Sequence, residues 1–276
     1  MAPPDSRSVE SDVPQSKCVS GSATKNLSLA EQPNDRESLQ REVEELRAEL
    51  ERSQRDLARF ASLASHELLE PLRMVSSFTT LLATRYADQL DDKGHQYIHF
   101  AQDGAQRLRA QIQGLLLYSR IGTRGRDLLP VPLTDCLDTA LRAAEADLSP
   151  LTLEVGQSAE VMVVADAHQI ALMFEHLLSN AVKFRRGDAA RVEVAAESSG
   201  DMVEVVVRDD GIGVDPEHAD RIFDVFERLH GRDAHPGIGI GLALCKRISE
   251  RHGGRIWVES DGSSGCAFHF TLKAGR

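Results

Sequence analysis

The sequence predicts an α+β protein: a long helical hairpin that forms a four-helix bundle across a dimer, followed by an α/β sandwich. Three observations predict it. Leu39, Val43, Leu46, Leu50, Leu57, Phe60 and Ala64 recur at alternating steps of four and three, with Ser53 at the one polar seam position. That spacing is a heptad stripe. A second helical pattern over 95–120 follows after a short polar turn at 88–94, with apolar positions at Ile98, Ala101, Ala105, Leu108, Ile112, Leu115 and Leu116. From residue 133 onward, short alternating runs interleave with helical ones, the texture of a sheet with helices on one face.

Residues 1–36 are rich in Ser, Pro, Asp and Gln with few large apolar groups. Such a segment cannot offset the entropy of ordering, and disorder is expected. Residues 37–62 read as a coiled-coil helix in a parallel two-chain coil. It continues through 63–86, with Pro71 inside it as a local bend. Residues 63–121 are read as a dimerising hairpin, because two antiparallel hairpins make a four-helix bundle. Residues 122–132 read as a linker.

Residues 133–276 read as the second domain. The pattern over 133–148 is helical. Residues 151–155 and 161–165 look like strands, and 167–184 is helical. Residues 191–196 and 203–208 alternate as strands. Residues 241–252 are helical, stopped by Gly253 and Gly254, and glycine is the usual residue past a helix end. Strands are expected at 255–259 and 267–272.

Composition narrows the chemistry. The formal charge of −11 excludes a general nucleic-acid binder, which needs a basic face. Cys18, Cys136, Cys245 and Cys266 form no CxxC pair and read as reduced thiols of an intracellular protein. No apolar run is long enough for a membrane span, and the N-terminus has no apolar signal core. A cytoplasmic protein is expected. His95 and His99 are four apart on a helix, but no third ligand is near them, so a metal site is not read there.

Three short patterns in the second half carry nucleotide chemistry. The first is HLLSNAVKF at 176–184. The amide oxygen of Asn180 is a candidate ligand for Mg²⁺, a hard ion that prefers oxygen. Lys183 is placed to meet a phosphate, and Phe184 to pack near a base. The second is DDGIG at 209–213. Asp209 can accept a hydrogen bond from the exocyclic amine of adenine, while Gly211 and Gly213 let the backbone approach the ring. The third is GIGIGL at 237–242. Gly237, Gly239 and Gly241 open a helix at Leu242, and exposed N–H groups at a helix start suit phosphate. One glycine cluster alone is a weak signal; three in this order are a strong one.

Residues 213–237, with Phe223, Phe226 and Arg228, have the look of a mobile lid. Arg228 is a candidate to offset charge on the γ-phosphate. Upstream, His66 is followed by Glu67. A neutral imidazole is a competent nucleophile, and a carboxylate can hold its tautomer and take its proton. Neighbouring helical residues do not share a face, so Glu67 must reach His66 through its rotamer.

These motifs resemble those of the bacterial two-component sensor histidine kinases, and of their phytochrome-like branch in particular, over about residues 55–275. SHELLEPLR at 65–73 resembles the phosphoacceptor box. HLLSNAVKF resembles the N box, DDGIG the first glycine box, IFDVFERLH at 222–230 the F box, and GIGIGL the second glycine box. GGRIWVES at 253–260 is also typical. The resemblance implies a homodimeric HisKA bundle and a Bergerat-type ATP domain shared with type II topoisomerases, mismatch-repair ATPases and a heat-shock chaperone. It implies that His66 is phosphorylated from ATP with Mg²⁺, with Glu67 as assisting base, Asn180 as metal ligand and Asp209 as adenine reader. The phosphoryl group then passes to an aspartate of a separate response regulator, or to a phosphotransfer protein. The rival reading is a non-catalytic ATP-binding coiled-coil interaction module.

Three departures stand out. His176 replaces a common asparagine, which bears on the metal or water shell. Ile238 replaces a common threonine without removing a backbone donor. Glu70 stands four residues after His66, where many relatives have Thr or Asn; a carboxylate there would repel a phosphoaspartate and implies weak phosphatase activity. No folded sensor is expected before residue 35 and no receiver after residue 276, so the stimulus is expected to come through an upstream partner, or the kinase to be constitutive.

Overall fold

The computed structural model describes residues 32–123, 125–144, 148, 150–229 and 237–275. Of the stretch expected to be disordered, 1–36, residues 1–31 lie outside the described residues, as does the part of the lid at 230–236. Residues 32–36 instead form the first turn of a helix, where Gln32, Asp35 and Arg36 extend the helix-forming run that follows.

Helix α1 runs Gln32–Arg85 and holds no glycine. Its Glu, Leu, Arg and Ala residues are strong helix formers. Pro71 lies within it and takes away one backbone donor. A single 3₁₀ turn, Ala87–Gln89, reverses the chain. Helix α2, Asp92–Thr123, starts inside the stretch read as turn. Asp91 explains the early start: its carboxylate accepts from the Gly94 N–H at 2.8 Å, the bond that an N-cap makes. Leu72, Ala105 and Ile112, with Leu69 packed on them, form a small core between the helices. Much apolar surface stays outside it. Leu63, Phe78, Leu81, Phe100 and Leu108 are all exposed, as are Leu39, Val43 and Leu46 further up α1.

The C-terminal half is a mixed seven-stranded sheet carrying three helices. Its strands are β1 (Leu129–Pro132), β2 (Leu151–Val155), β3 (Met162–Ala165), β4 (Ala190–Ser199), β5 (Met202–Asp209), β6 (Ile256–Glu259) and β7 (Ala267–Ala274). Its helices are α3 (Leu133–Ala143), α4 (Ala167–Lys183) and α5 (Gly241–Arg251). The strand order is β1-β3-β7-β5-β4-β2, with β6 also paired to β7. Among the described residues only β2 and β4 run parallel. Alternation decides the buried face: Val203, Val205 and Val207 of β5 and Phe268, Phe270 and Leu272 of β7 point into the core. Phe174 of α4 meets Phe270 edge-on at 5.8 Å between centroids. On the other face Trp257 stacks on His269 at 5.0 Å.

Two differences from the sequence reading concern the connection between the halves. The stretch read as a linker, 122–132, contains β1, which pairs antiparallel with β3 from Leu129↔Ala165 to Pro132↔Met162. Pro130 and Pro132 are tolerated because β1 is an edge strand, where a missing N–H breaks no second ladder. The helix expected over 133–148 ends at Ala143. Among the described residues no helix is long and apolar enough to cross a membrane.

A buried polar clamp holds the end of α2 to the sheet domain. Asp166 caps α4, accepting from the N–H groups of His168 and Gln169. It also accepts from the Arg126 N–H at 2.8 Å. Arg251 donates to Asp166 at 3.4 Å, to Gln169 at 2.9 Å and to the Arg126 carbonyl at 2.6 Å. Gln169 Nε2 donates to the Ile121 carbonyl at 3.2 Å. His252 completes the set, accepting from the Asp166 N–H at 3.0 Å.

Candidate active site

Helix α4, strand β5 and the start of α5 converge on one cleft of about 350 Å³, within the usual range for small-molecule sites. Asn180, Lys183 and Phe184 reach it from the last turn of α4, and Asp209 from the end of β5. The second glycine cluster closes the other side, with Gly237, Gly239, Gly241 and Leu242 on the wall. Gly213 and Arg228 also line it. Gly211 stands behind the wall. Its N–H donates to Asp209 Oδ1 at 2.9 Å, and a Cβ there would stand 2.7 Å from that oxygen and 2.8 Å from the Phe184 carbonyl. Only glycine fits.

Asp209 is fixed as an acceptor. Its Oδ1 takes the Gly211 N–H and, at 3.3 Å, the Cys266 N–H. Burial raises its carboxyl above the ordinary range, and those two bonds oppose the rise. Two cations also meet on the cleft wall. Arg228 Nη1 donates to the Gly237 carbonyl at 2.7 Å. Lys183 Nζ lies 4.6 Å from the Phe184 ring centre. Its amine is pushed below its ordinary value, first by burial and then by the Arg228 charge. Two crowded cations beside a glycine loop favour an anion between them.

The loop is held in conformations that demand glycine. Gly239 has φ +73°, and its carbonyl accepts from the Phe226 N–H at 2.7 Å. Phe226 itself has φ +68°, the sole positive φ of a non-glycine among the described residues. An outlier of that kind costs about 1–3 kcal/mol and is kept where surroundings over-determine it.

His66 and Glu67 do not line the cleft; they stand on α1. Their side chains are about 80% exposed, and His66 Nδ1 lies 3.9 Å from Glu67 Oε1. The adjacent carboxylate therefore does reach toward the ring, though not to hydrogen-bond distance.

Family models match both halves. The His Kinase A (phospho-acceptor) domain, HisKA, matches residues 56–124. The histidine kinase-, DNA gyrase B- and HSP90-like ATPase, HATPase_c, matches residues 165–276. The chain carries the HisKA and HATPase_c domains of the two-component histidine kinases.

Cyanobacterial phytochrome A of Nostoc sp. is 39% identical over 85% of this chain and 31% of its own length. Phytochrome-like protein Cph1 of Synechocystis sp. is 36% identical, again over 85% and 31%. The chain thus spans about a third of the length of these relatives. The crystal structure of full-length ShkA in complex with AMPPNP aligns over 79% of this chain and 46% of that one, with TM-score 0.57 and 23% identity. The Acinetobacter baumannii histidine kinase AdeS aligns over 76% and 98%, with TM-score 0.53 and 16% identity. These two likenesses show the shared fold.

Within the HATPase_c domain the structure adds Cys266 to the wall and Ser260 behind it, and it places on the wall His176, which the sequence marked only as a departure from the motif. His176 lines the cleft one turn before Asn180, and burial pushes its imidazole down to about 4. Cys266 forms part of the wall beside Asp209, and burial pushes its thiol up to about 12. Ser260 ties two loops together, accepting from the Val214 N–H at 2.9 Å and donating to the Gly265 carbonyl at 2.7 Å. The position of His176 in the motif marks it in the sequence; Cys266 and Ser260 carry no local signal.

Proposed function

We propose that this chain phosphorylates its own His66 from ATP and passes the phosphoryl group to an aspartate of a separate response regulator or to a phosphotransfer protein. The observation that carries the reading is the cleft. It gathers on one set of walls an anchored carboxylate, Asp209, and two cations, Lys183 and Arg228, beside a glycine loop. That combination suits an adenine at the carboxylate and phosphates at the cations.

Adenine's exocyclic amine donates to Asp209, and Phe184 packs near the base. Lys183, Arg228 and the backbone of Gly237, Gly239, Gly241 and Leu242 hold the phosphates. Gly211 and Gly213 give the ring its close approach. Asn180 supplies an oxygen of the kind Mg²⁺ prefers, and the ion, when bound, neutralises phosphate charge. On α1, His66 presents Nδ1 toward Glu67, which leaves Nε2 for attack. The N–P bond forms at Nε2 as the bond from the γ-phosphorus to the bridging oxygen breaks, releasing ADP. The proton on Nδ1 passes to Glu67 once its side chain closes about 1 Å, to hydrogen-bond distance.

The apolar residues left exposed on the hairpin support a homodimer with a four-helix bundle. Residues 37–62 would then form a coiled coil, 63–121 the dimerising phosphotransfer unit and 133–276 the catalytic unit. The identities with cyanobacterial phytochromes support the phytochrome-like branch, and with it an upstream sensor partner. Consumption of ATP fits a cytoplasmic location.

The test is incubation of the protein and of His66→Gln with γ-labelled ATP and Mg²⁺. An acid-labile, alkali-stable label that the substitution removes is the expected result. Nucleotide binding without label on either protein would instead favour the non-catalytic interaction module.

A further inference from the structure

His176 and Asn180 lie one helical turn apart on α4, and both line the nucleotide cleft. Residues at i and i+4 share a helix face with Cβ atoms about 5–6 Å apart, the spacing at which two side chains can hold one ion. The two ring nitrogens of His176 are in different surroundings. Nε2 is fully enclosed and has no hydrogen-bond partner. Nδ1 is the ring atom nearest to the start of α5, 3.4 Å from where a Cβ on Gly241 would stand. Gly241 is itself on the cleft wall. Nδ1 is not among the enclosed side-chain atoms that lack a partner, and with Nε2 shut away it is the nitrogen that a ligand in the cleft can meet.

Protonation favours the same role. Burial keeps the ring neutral at physiological pH. A neutral imidazole carries one proton, and with that proton on Nε2 the Nδ1 lone pair faces the cleft. Such a lone pair accepts a metal ion.

We propose that His176 Nδ1 and Asn180 Oδ1 together ligate the divalent ion that accompanies the nucleotide, so that the site favours a transition ion such as Mn²⁺ over Mg²⁺. The inference rests on the reading of this cleft as the ATP site. Among the described residues, no group of three or more His, Cys, Asp and Glu gathers to hold an ion alone. Phosphate oxygens and water must complete the shell, so the ion binds with the nucleotide. Mg²⁺ takes oxygen ligands and gives up its waters reluctantly. Imidazole suits Zn, Cu, Fe and Ni best, and Mn²⁺, the weakest binder of that series, still accepts a nitrogen ligand more readily than Mg²⁺ does. One nitrogen in an otherwise oxygen shell therefore shifts the preference without abolishing Mg²⁺ binding.

The test uses the full chain with Mn²⁺ and AMPPNP, a non-hydrolysable ATP analogue. Binding is measured by calorimetry with each metal, and the Mn²⁺ complex is then examined by electron spin-echo envelope modulation. The expected result is ¹⁴N modulation from a directly bound imidazole, lost in His176→Asn. The same substitution should lower the ratio of Mn²⁺ to Mg²⁺ nucleotide affinity by about tenfold, the low end of losses when support is removed from a metal site. Tight Mn²⁺·AMPPNP binding without ¹⁴N modulation overturns the proposal while leaving the ATP reading intact. No nucleotide binding with either metal overturns both.

Discussion

Replacing Asp166 by alanine should destabilise the sheet domain by about 3–5 kcal/mol, and replacing it by asparagine by about 1–2 kcal/mol. The carboxylate is nearly inaccessible, at 2% exposure. It serves four partners in three roles. It caps α4 through the His168 and Gln169 N–H groups, and losing such a cap costs about 1 kcal/mol. It accepts the Arg126 N–H, and stranding that donor costs about 1–3 kcal/mol. It faces Arg251, which is 18% exposed. Breaking a buried ion pair from one side costs about 3–5 kcal/mol, but Arg251 keeps its bonds to Gln169 and to the Arg126 carbonyl, so this share is reduced to about 1 kcal/mol. Asparagine keeps one acceptor oxygen. It can retain either the cap or the Arg126 bond, and it loses the charge. The assay is urea unfolding followed by fluorescence of Trp257, the one tryptophan in the chain, which stacks on His269 in the sheet domain. A loss under about 1 kcal/mol for alanine, well below the cap and donor terms together, would refute the clamp. Equal losses for the two variants would refute the partition among its partners.

Three further outcomes are expected. Gly239→Ala places a side chain at φ +73°, with its Cβ 2.6 Å from the Glu227 carbonyl. Strain of about 1–3 kcal/mol in the phosphate loop should weaken nucleotide binding by about 5- to 150-fold, and calorimetric affinity within twofold of the parent would contradict it. Glu70 is exposed one turn after His66. Glu70→Thr should raise the rate at which the protein dephosphorylates a phosphorylated receiver, and an unaltered rate would count against charge repulsion. Acid should destabilise the sheet domain through His176. Its folded value is about 4 against an ordinary 6.5, so between those limits the unfolded chain binds the extra proton and stability falls as pH falls. Above pH 6.5 this term is absent. By pH 4 it reaches about 2–3 kcal/mol, somewhat under the full linkage value because the ring is not wholly buried. His252 is lowered in the same direction by burial. Urea titrations at pH 7.5 and 4.5 check this, and His176→Asn should be the less acid-sensitive protein.

The parts of this fold legible in the sequence are those where neighbours decide conformation. Periodicity located α1, α2, α4 and α5 because a helix repeats its buried face every three to four residues. Glycine spacing located the cleft because Gly211 and Gly239 stand where a Cβ collides with backbone oxygen. Strand β1 was not legible for a related reason: Pro130 and Pro132 are local breakers, and only their edge position beside β3 makes them harmless. The clamp was illegible altogether. Arg126, Asp166 and Arg251 are separated by 40 and 85 positions, and no local pattern states that a buried carboxylate will join them.

His176 lies between these cases. The motif marks its position, yet an imidazole at that position has several possible chemistries. Burial keeps it neutral, and enclosure removes Nε2 from any ligand. Packing against Gly241 leaves Nδ1 at the cleft. None of these follows from the residue or its spacing; each follows from the elements packed around it. A motif therefore locates a site more reliably than it defines the site's chemistry, and the metal preference of this cleft is the property in which the two are expected to diverge.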